Sequence, residues 1–116
     1  MIGIDIVEIE RIKTALERTK SFYQKAFTRY ERKYYEANGK KISTLAGIFC
    51  AKEAAVKALK TGFNGIGLQD IEVRHTESGS PYLVFFGEAQ KLTQGKSAEV
   101  SISHSENYAV AVCIIK

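Results

Sequence analysis

The chain has 116 residues, of which 45% are hydrophobic and 26% charged, with one Pro and two Cys and a formal net charge of +4. That length suits one domain spanning 1–116 and excludes two of ordinary size. The composition excludes wholesale disorder. The longest apolar run, Tyr108 to Ile115, is far short of the roughly 18 residues of a membrane span. The opening Met1-Ile2-Gly3-Ile4-Asp5 carries an acid where a leader would be basic. Cys50 and Cys113 stand alone, with no disulfide framework and no ligand-like spacing. These features predict a reduced, cytoplasmic domain.

Charge is unevenly spread. Residues 1–60 hold 13 Lys/Arg against 7 Asp/Glu, and residues 61–116 hold 4 against 6. The excess is densest from Arg11 to Lys41, with ten basic and three acidic side chains. Such a patch concentrates an anionic partner, whether nucleic acid, acidic protein or phosphorylated small molecule.

Ile2, Ile4 and Ile6 alternate with Gly3, Asp5 and Val7, the period of a strand with one buried face, here assigned to the isoleucines, and Asp5 on the other. From Glu8 the period turns helical, with Ile9, Ile12 and Leu16 inward and Arg11, Ala15 and Arg18 outward. A short helix at Ser21 to Phe27 offers Phe22, Tyr23, Ala26 and Phe27 to a core. Thr28-x-x-Glu31 reads as a capping box, and Asn38-Gly39 as the stop of the helix it starts. A longer, alanine-rich helix is predicted from Ser43 to Thr61, ending at Gly62. Strands follow near Ile71–His75 and Tyr82–Phe86 around a Glu77–Pro81 turn, then a short helix or loop at Gly87 to Gly95. Val100, Ile102 and His104 alternate with Ser101 and Ser103 in a further strand. The last strand, Tyr108 to Ile115, is apolar on both faces and should be central or covered. The segregated order predicts α+β, with a mostly antiparallel sheet packed with three to four helices.

No phosphate-cradling glycine loop and no zinc-like spacing is present. Ser103, His104 and Ser105 alternate in direction along a strand, which argues against a serine nucleophile. What stands out is charge in costly places. Asp5 interrupts an apolar strand beside Gly3, as a cap, an edge residue or a ligand. In Phe49-Cys50-Ala51-Lys52-Glu53-Ala54-Ala55-Val56-Lys57-Ala58, Glu53 and Lys57 share a helical face among small apolar residues. An exposed pair of this kind is worth only ~0.2–0.5 kcal/mol. A carboxylate and an ammonium there can also hold a metal ion and a phosphate side by side. Asp5 and Glu53 are hard oxygen ligands of the kind Mg²⁺ shares with substrate phosphates. His104 ends a strand lined with small hydroxyls, leaving room for an anion, whereas His75 reads as structural.

Gly3-Ile4-Asp5-Ile6-Val7-Glu8-Ile9, Phe27-Thr28-x-x-Glu31, the Phe49 to Ala58 segment and Ser101-Ile102-Ser103-His104-Ser105 occur in that order. Together they resemble the short bacterial 4′-phosphopantetheinyl transferases, the holo-[acyl-carrier-protein] synthase family, over essentially the whole chain. The resemblance implies transfer of 4′-phosphopantetheine from coenzyme A to a serine of an apo acyl carrier protein, releasing adenosine 3′,5′-bisphosphate. It implies catalytic roles for Asp5, Glu53 and Lys57, with Asp5 and Glu53 as Mg²⁺ ligands and Lys57 on the pyrophosphate. His104, with Ser103 beside it, would hold the nucleotide end. The acidic carrier protein would dock on the first helix at Arg11, Ala15 and Arg18, and the family works as a homotrimer with sites between subunits. Ile48 stands where the family commonly has Arg, Ser80 where a Lys precedes Pro81, and Lys60 where a Gly is usual. Lys40, Lys41 or Lys60 would then supply charge to the nucleotide, and Lys41 is taken as the coenzyme A contact.

Two other readings compete. A small basic nucleic-acid-binding domain would use the aromatics interleaved with the Arg11–Lys41 charges for stacking. An inactive scaffold would bind carrier protein without transferring anything.

Overall fold

The computed structural model describes residues 1–59 and 65–116. In chain order it forms β1 (Ile2–Glu8), α1 (Ile9–Arg18), α2 (Phe22–Ala26), α3 (Arg29–Ala37) and α4 (Ile42–Leu59). Then come a 3-10 turn (Leu68–Asp70), β2 (Ile71–His75), β3 (Pro81–Phe85), α5 (Gly87–Leu92), β4 (Ala98–His104) and β5 (Tyr108–Ile115). The expected stop of the long helix at Thr61 and Gly62, and Lys60, lie outside the described residues.

The α+β class and antiparallel pairing hold, but the strands form two sheets rather than one, ordered β1-β5-β4 and β2-β3. A cleft of about 470 Å³, lined by Pro81 and Tyr82 on one side and by Ala98, Glu99, Val100 and Ser101 on the other, lies between β3 and β4. β5 takes the centre of the larger sheet, the place its two apolar faces require.

The core is built on α4. Leu45, Ala46, Ile48, Cys50, Ala51, Ala54, Ala55 and Ala58 are all buried, so this helix is apolar nearly all round and has no solvent face along most of its length. Its alanines let β1 come very close. A Cβ on Gly3 would fall on the Ala54 carbonyl oxygen and the Ala58 nitrogen, so only glycine fits at that crossing.

This approach reverses the expected burial of β1. Gly3, Asp5 and Val7 turn toward α4, while Ile2, Ile4 and Ile6 are 63%, 62% and 64% exposed. Alternation shows that a strand has an apolar face, but it does not say which side the chain's own helix will take. The helix takes the side without bulk. The isoleucines instead line an open sheet face opposite Ile114, Val112 and Val110 of β5.

Beneath α4 lies a fully buried ion pair. Lys52 Nζ donates to Glu31 Oε1 at 2.7 Å, with both side chains at 0% exposure. Lys52 also donates to the Ala26 carbonyl at 2.8 Å. Glu31 accepts the Thr28 backbone N–H at 2.8 Å through Oε1 and the Val73 N–H at 2.7 Å through Oε2. The predicted capping box is present, Thr28 Oγ1 accepting from the Glu31 N–H at 3.3 Å. Burial pushes the Glu31 carboxyl up and the Lys52 ammonium down, and each charge opposes the shift of the other.

Removing one member of such a pair strands the other in the interior. Lys52→Met should therefore cost about 3–5 kcal/mol of stability in urea unfolding. Lys52→Met combined with Glu31→Gln should lose less than the two single losses added together. A Lys52→Met variant as stable as the parent would show that the pair is not what holds these elements.

Candidate active site

β1 and α4 place the charged residues of both motifs against each other. Asp5 sits in β1 opposite Ala111 of β5, two residues beyond Gly3 on the same face. Lys57 Nζ donates to Asp5 Oδ1 at 3.0 Å and to the Ile4 carbonyl at 3.2 Å, while its side chain stays 56% exposed. Contact with Asp5 holds the Lys57 ammonium above its ordinary range. From one turn nearer the start of α4, Glu53 enters a cleft of about 350 Å³ that it shares with Asp5, Ile6, Val7, Arg11, Ile12, Ala15, Phe22 and Phe49. Burial first, and the Asp5 charge second, push the Glu53 carboxyl up, against a smaller pull from Lys57.

Two carboxylates on one cleft, with like charge raising the affinity of one for a proton, also favour a cation. Among the described residues no group of three or more His, Cys, Asp and Glu gathers to hold a metal ion. A pair of hard oxygen donors with open space beside it fits Mg²⁺, which keeps waters and shares substrate phosphates, better than a metal needing a full protein cage. Cys50 lies behind Asp5, its thiol pushed up to about 12 by burial first and by Asp5 second.

The first helix behaves as its periodicity predicts. Ile12 is buried, and Arg11 and Arg18 are exposed. Arg11, Thr14, Ala15, Arg18 and Thr19 line a second cleft of about 330 Å³ together with Glu8 and Glu10. Arg11 and Ala15 belong to both clefts, so the basic helix face runs without a break into the carboxylate cleft.

The nucleotide candidates do not converge within one chain. His104 faces a groove of about 260 Å³ with Tyr34, Ser43, Thr44, Gly47, Ile48, His75 and Ile102. Ser103 pairs with Val110 and points to the opposite, open face of the sheet. Lys41 is exposed just ahead of α4 and does not line that groove. Ile48 is buried at 1% exposure, so its apolar character is used by the core.

His75 stacks on Tyr34 with ring centroids 3.9 Å apart and planes 4° from parallel. Burial pushes its imidazole down, and its Nδ1 has no hydrogen-bond partner among the described residues. Sequence reasoning missed three things here: the burial of Lys52, the Tyr34–His75 stack and the contact of Cys50 with Asp5. Only the first had a signal, a Lys flanked by Ala and Cys on an apolar helix.

The family model described as the 4′-phosphopantetheinyl transferase superfamily matches residues 1–113, and the chain belongs to that superfamily. The holo-[acyl-carrier-protein] synthase of Clostridium tetani is 44% identical over 118 residues, 99% of this chain and 94% of that protein. That of Clostridium beijerinckii is 42% identical over 117 residues, 99% and 95% of the two chains. The crystal structure of Helicobacter pylori holo-[acyl-carrier-protein] synthase in complex with coenzyme A superposes with a TM-score of 0.88 at 31% identity, covering 100% of both chains. The Bacillus anthracis synthase in complex with CoA (3′,5′-ADP) gives 0.81 at 36% identity, covering 98% and 93%. Within the superfamily, its group is that of the holo-[acyl-carrier-protein] synthases.

Proposed function

We infer that this chain is an enzyme that transfers 4′-phosphopantetheine from coenzyme A to a serine of apo acyl carrier protein, leaving adenosine 3′,5′-bisphosphate. The observation that carries this reading is that Asp5 and Glu53, from two separate motifs, share one cleft while Lys57 of the second motif bonds to Asp5, in a chain of this family. The sequence offers no Ser-His-Asp arrangement of its own, which agrees with an attacking serine that belongs to the partner.

In the reaction the partner's hydroxyl oxygen bonds to the phosphorus that bears pantetheine. The bridging oxygen departs with the nucleotide, and the serine proton passes to Glu53 or to a water beside it. Such a transfer depends on positioning and on neutralising the phosphate oxygens. Asp5 and Glu53 would hold Mg²⁺, which when bound supplies positive charge to the diphosphate. Lys57, half in solvent and held among the described residues by Asp5 and the Ile4 carbonyl, is free to swing onto the pyrophosphate. His104, and Lys41 and Ser103 if a neighbouring subunit completes the groove, would hold the nucleotide.

Carrier docking is supported by the exposed Arg11 and Arg18 flanking Ala15 along a cleft that leads to the carboxylates. The aromatics of the basic stretch favour this reading over nucleic acid. Phe22, Tyr23, Tyr34 and Tyr35 pack against the core, which removes them as stacking platforms. Assembly as a homotrimer is supported by the open face of Ile2, Ile4 and Ile6 with Val110, Val112 and Ile114, an apolar patch of the kind that marks protein contact.

Three measurements test these statements. Incubation with coenzyme A, Mg²⁺ and apo carrier protein should add one phosphopantetheine to the carrier's intact mass, and EDTA or Glu53→Gln should abolish the gain. Carrier bound but never modified would make the protein a scaffold. Arg18→Glu should raise KM for the carrier by about tenfold or more while leaving KM for coenzyme A unchanged. An unchanged carrier KM would move docking off α1. Light scattering should give three times the chain mass for the parent and a smaller species for Ile4→Glu, and a monomeric parent would refute the trimer.

A further inference from the structure

Asp5 is gripped by α4 from two sides, and the two grips differ in kind. On one side is Lys57, exposed and needed for substrate under the function proposed above, on which this inference rests. On the other is Cys50, at 0% exposure. Its Sγ lies 3.0 Å from the Asp5 carbonyl oxygen, 3.6 Å from Asp5 Oδ2 and 3.6 Å from the Ala109 carbonyl oxygen. Cys50, Glu53 and Lys57 fall at helical spacings of three and four, one stripe of α4 laid along β1. The thiol is a single donor whose nearest acceptor is the Asp5 carbonyl oxygen, with Asp5 Oδ2 and the Ala109 carbonyl oxygen next at equal distance, so it holds Asp5 chiefly by its backbone.

We propose that Cys50 is a positioning residue for Asp5, keeping its carboxylate aimed at the cleft when Lys57 releases Oδ1 for the substrate diphosphate. An alanine at this position would offer no donor and leave a small void where the sulfur lay, so Asp5 would lose its aim at the moment Lys57 turns away. A serine would restore the donor in nearly the same volume. The effect falls on the ligand geometry at the carboxylates and spares the nucleotide, which is held elsewhere.

The test is Mn²⁺ binding to the full chain, followed by electron paramagnetic resonance, for the parent, Cys50→Ala and Cys50→Ser, with thermal melts and steady-state kinetics alongside. Cys50→Ala should bind Mn²⁺ about three- to tenfold more weakly and lose kcat at unchanged KM for coenzyme A. Cys50→Ser should return binding to within about twofold of the parent. If Cys50→Ala is too unstable to measure, Cys50→Val, which fills the space without a donor, replaces it. Parent-like Mn²⁺ binding by the donor-less variant, or failure of serine to rescue it, would overturn the proposal and leave the transferase reading standing. A parent that transfers pantetheine without binding Mn²⁺ would overturn the metal role of Asp5 and this proposal together.

Discussion

The buried Lys52–Glu31 pair is the tie on which the rest of the molecule depends. Through hydrogen bonds to Ala26, Thr28 and Val73 it binds the central helix to the end of α2, the cap of α3 and the first strand of the small sheet. Each of those groups is a polar atom that would otherwise be buried without a partner. The pair thus converts a liability shared by four elements into one compact network. Its cost is the desolvation of two charges, which a geometry with four hydrogen bonds offsets. Lys52 and Glu53 are adjacent, so the residue that anchors the helix from beneath and the residue that lines the cleft face opposite environments on neighbouring positions. The anchor sets the rotation of α4, and that rotation sets where Glu53 and Lys57 point.

Much of this was legible in the amino-acid order. The capping box at Thr28 and Glu31, the helix that buries Ile12 and shows Arg11 and Arg18, and the central place of the last strand all follow from local spacing. So does the shared face of Glu53 and Lys57. The meeting of Asp5 with that face does not follow from spacing, since the two segments lie 48 residues apart in the chain. A glycine inside a strand allows close approach but does not say what approaches.

The parts that escaped are those in which a residue's surroundings come from a distant segment. The isoleucines of β1 read as core because they are apolar and alternate, yet space against α4 was available only to the side carrying glycine. One sheet was expected because the strands alternate antiparallel, yet nothing local says that β3 and β4 fail to pair. Ser103 and His104 are neighbours in sequence and therefore look like a pair. A strand sends them to opposite faces, so adjacency in sequence does not bring them to one site. Lys52 was hidden in plain view, because a lysine beside a glutamate on a helix reads equally well as a solvated residue.

The crossing of Gly3 over α4 does more than allow two elements to touch. A β-strand slid by one residue along its neighbour would bring Ile2 or Ile4 to the place where not even a methyl group fits. A slide of two would drive Met1 or Asp5 into the backbone of the helix. Every wrong alignment of the first strand is thus excluded by volume before any hydrogen bond is counted. Asp5 arrives beside Lys57 because no other alignment of the strand can close, and the absence of a side chain at one position fixes the address of the carboxylate two residues later.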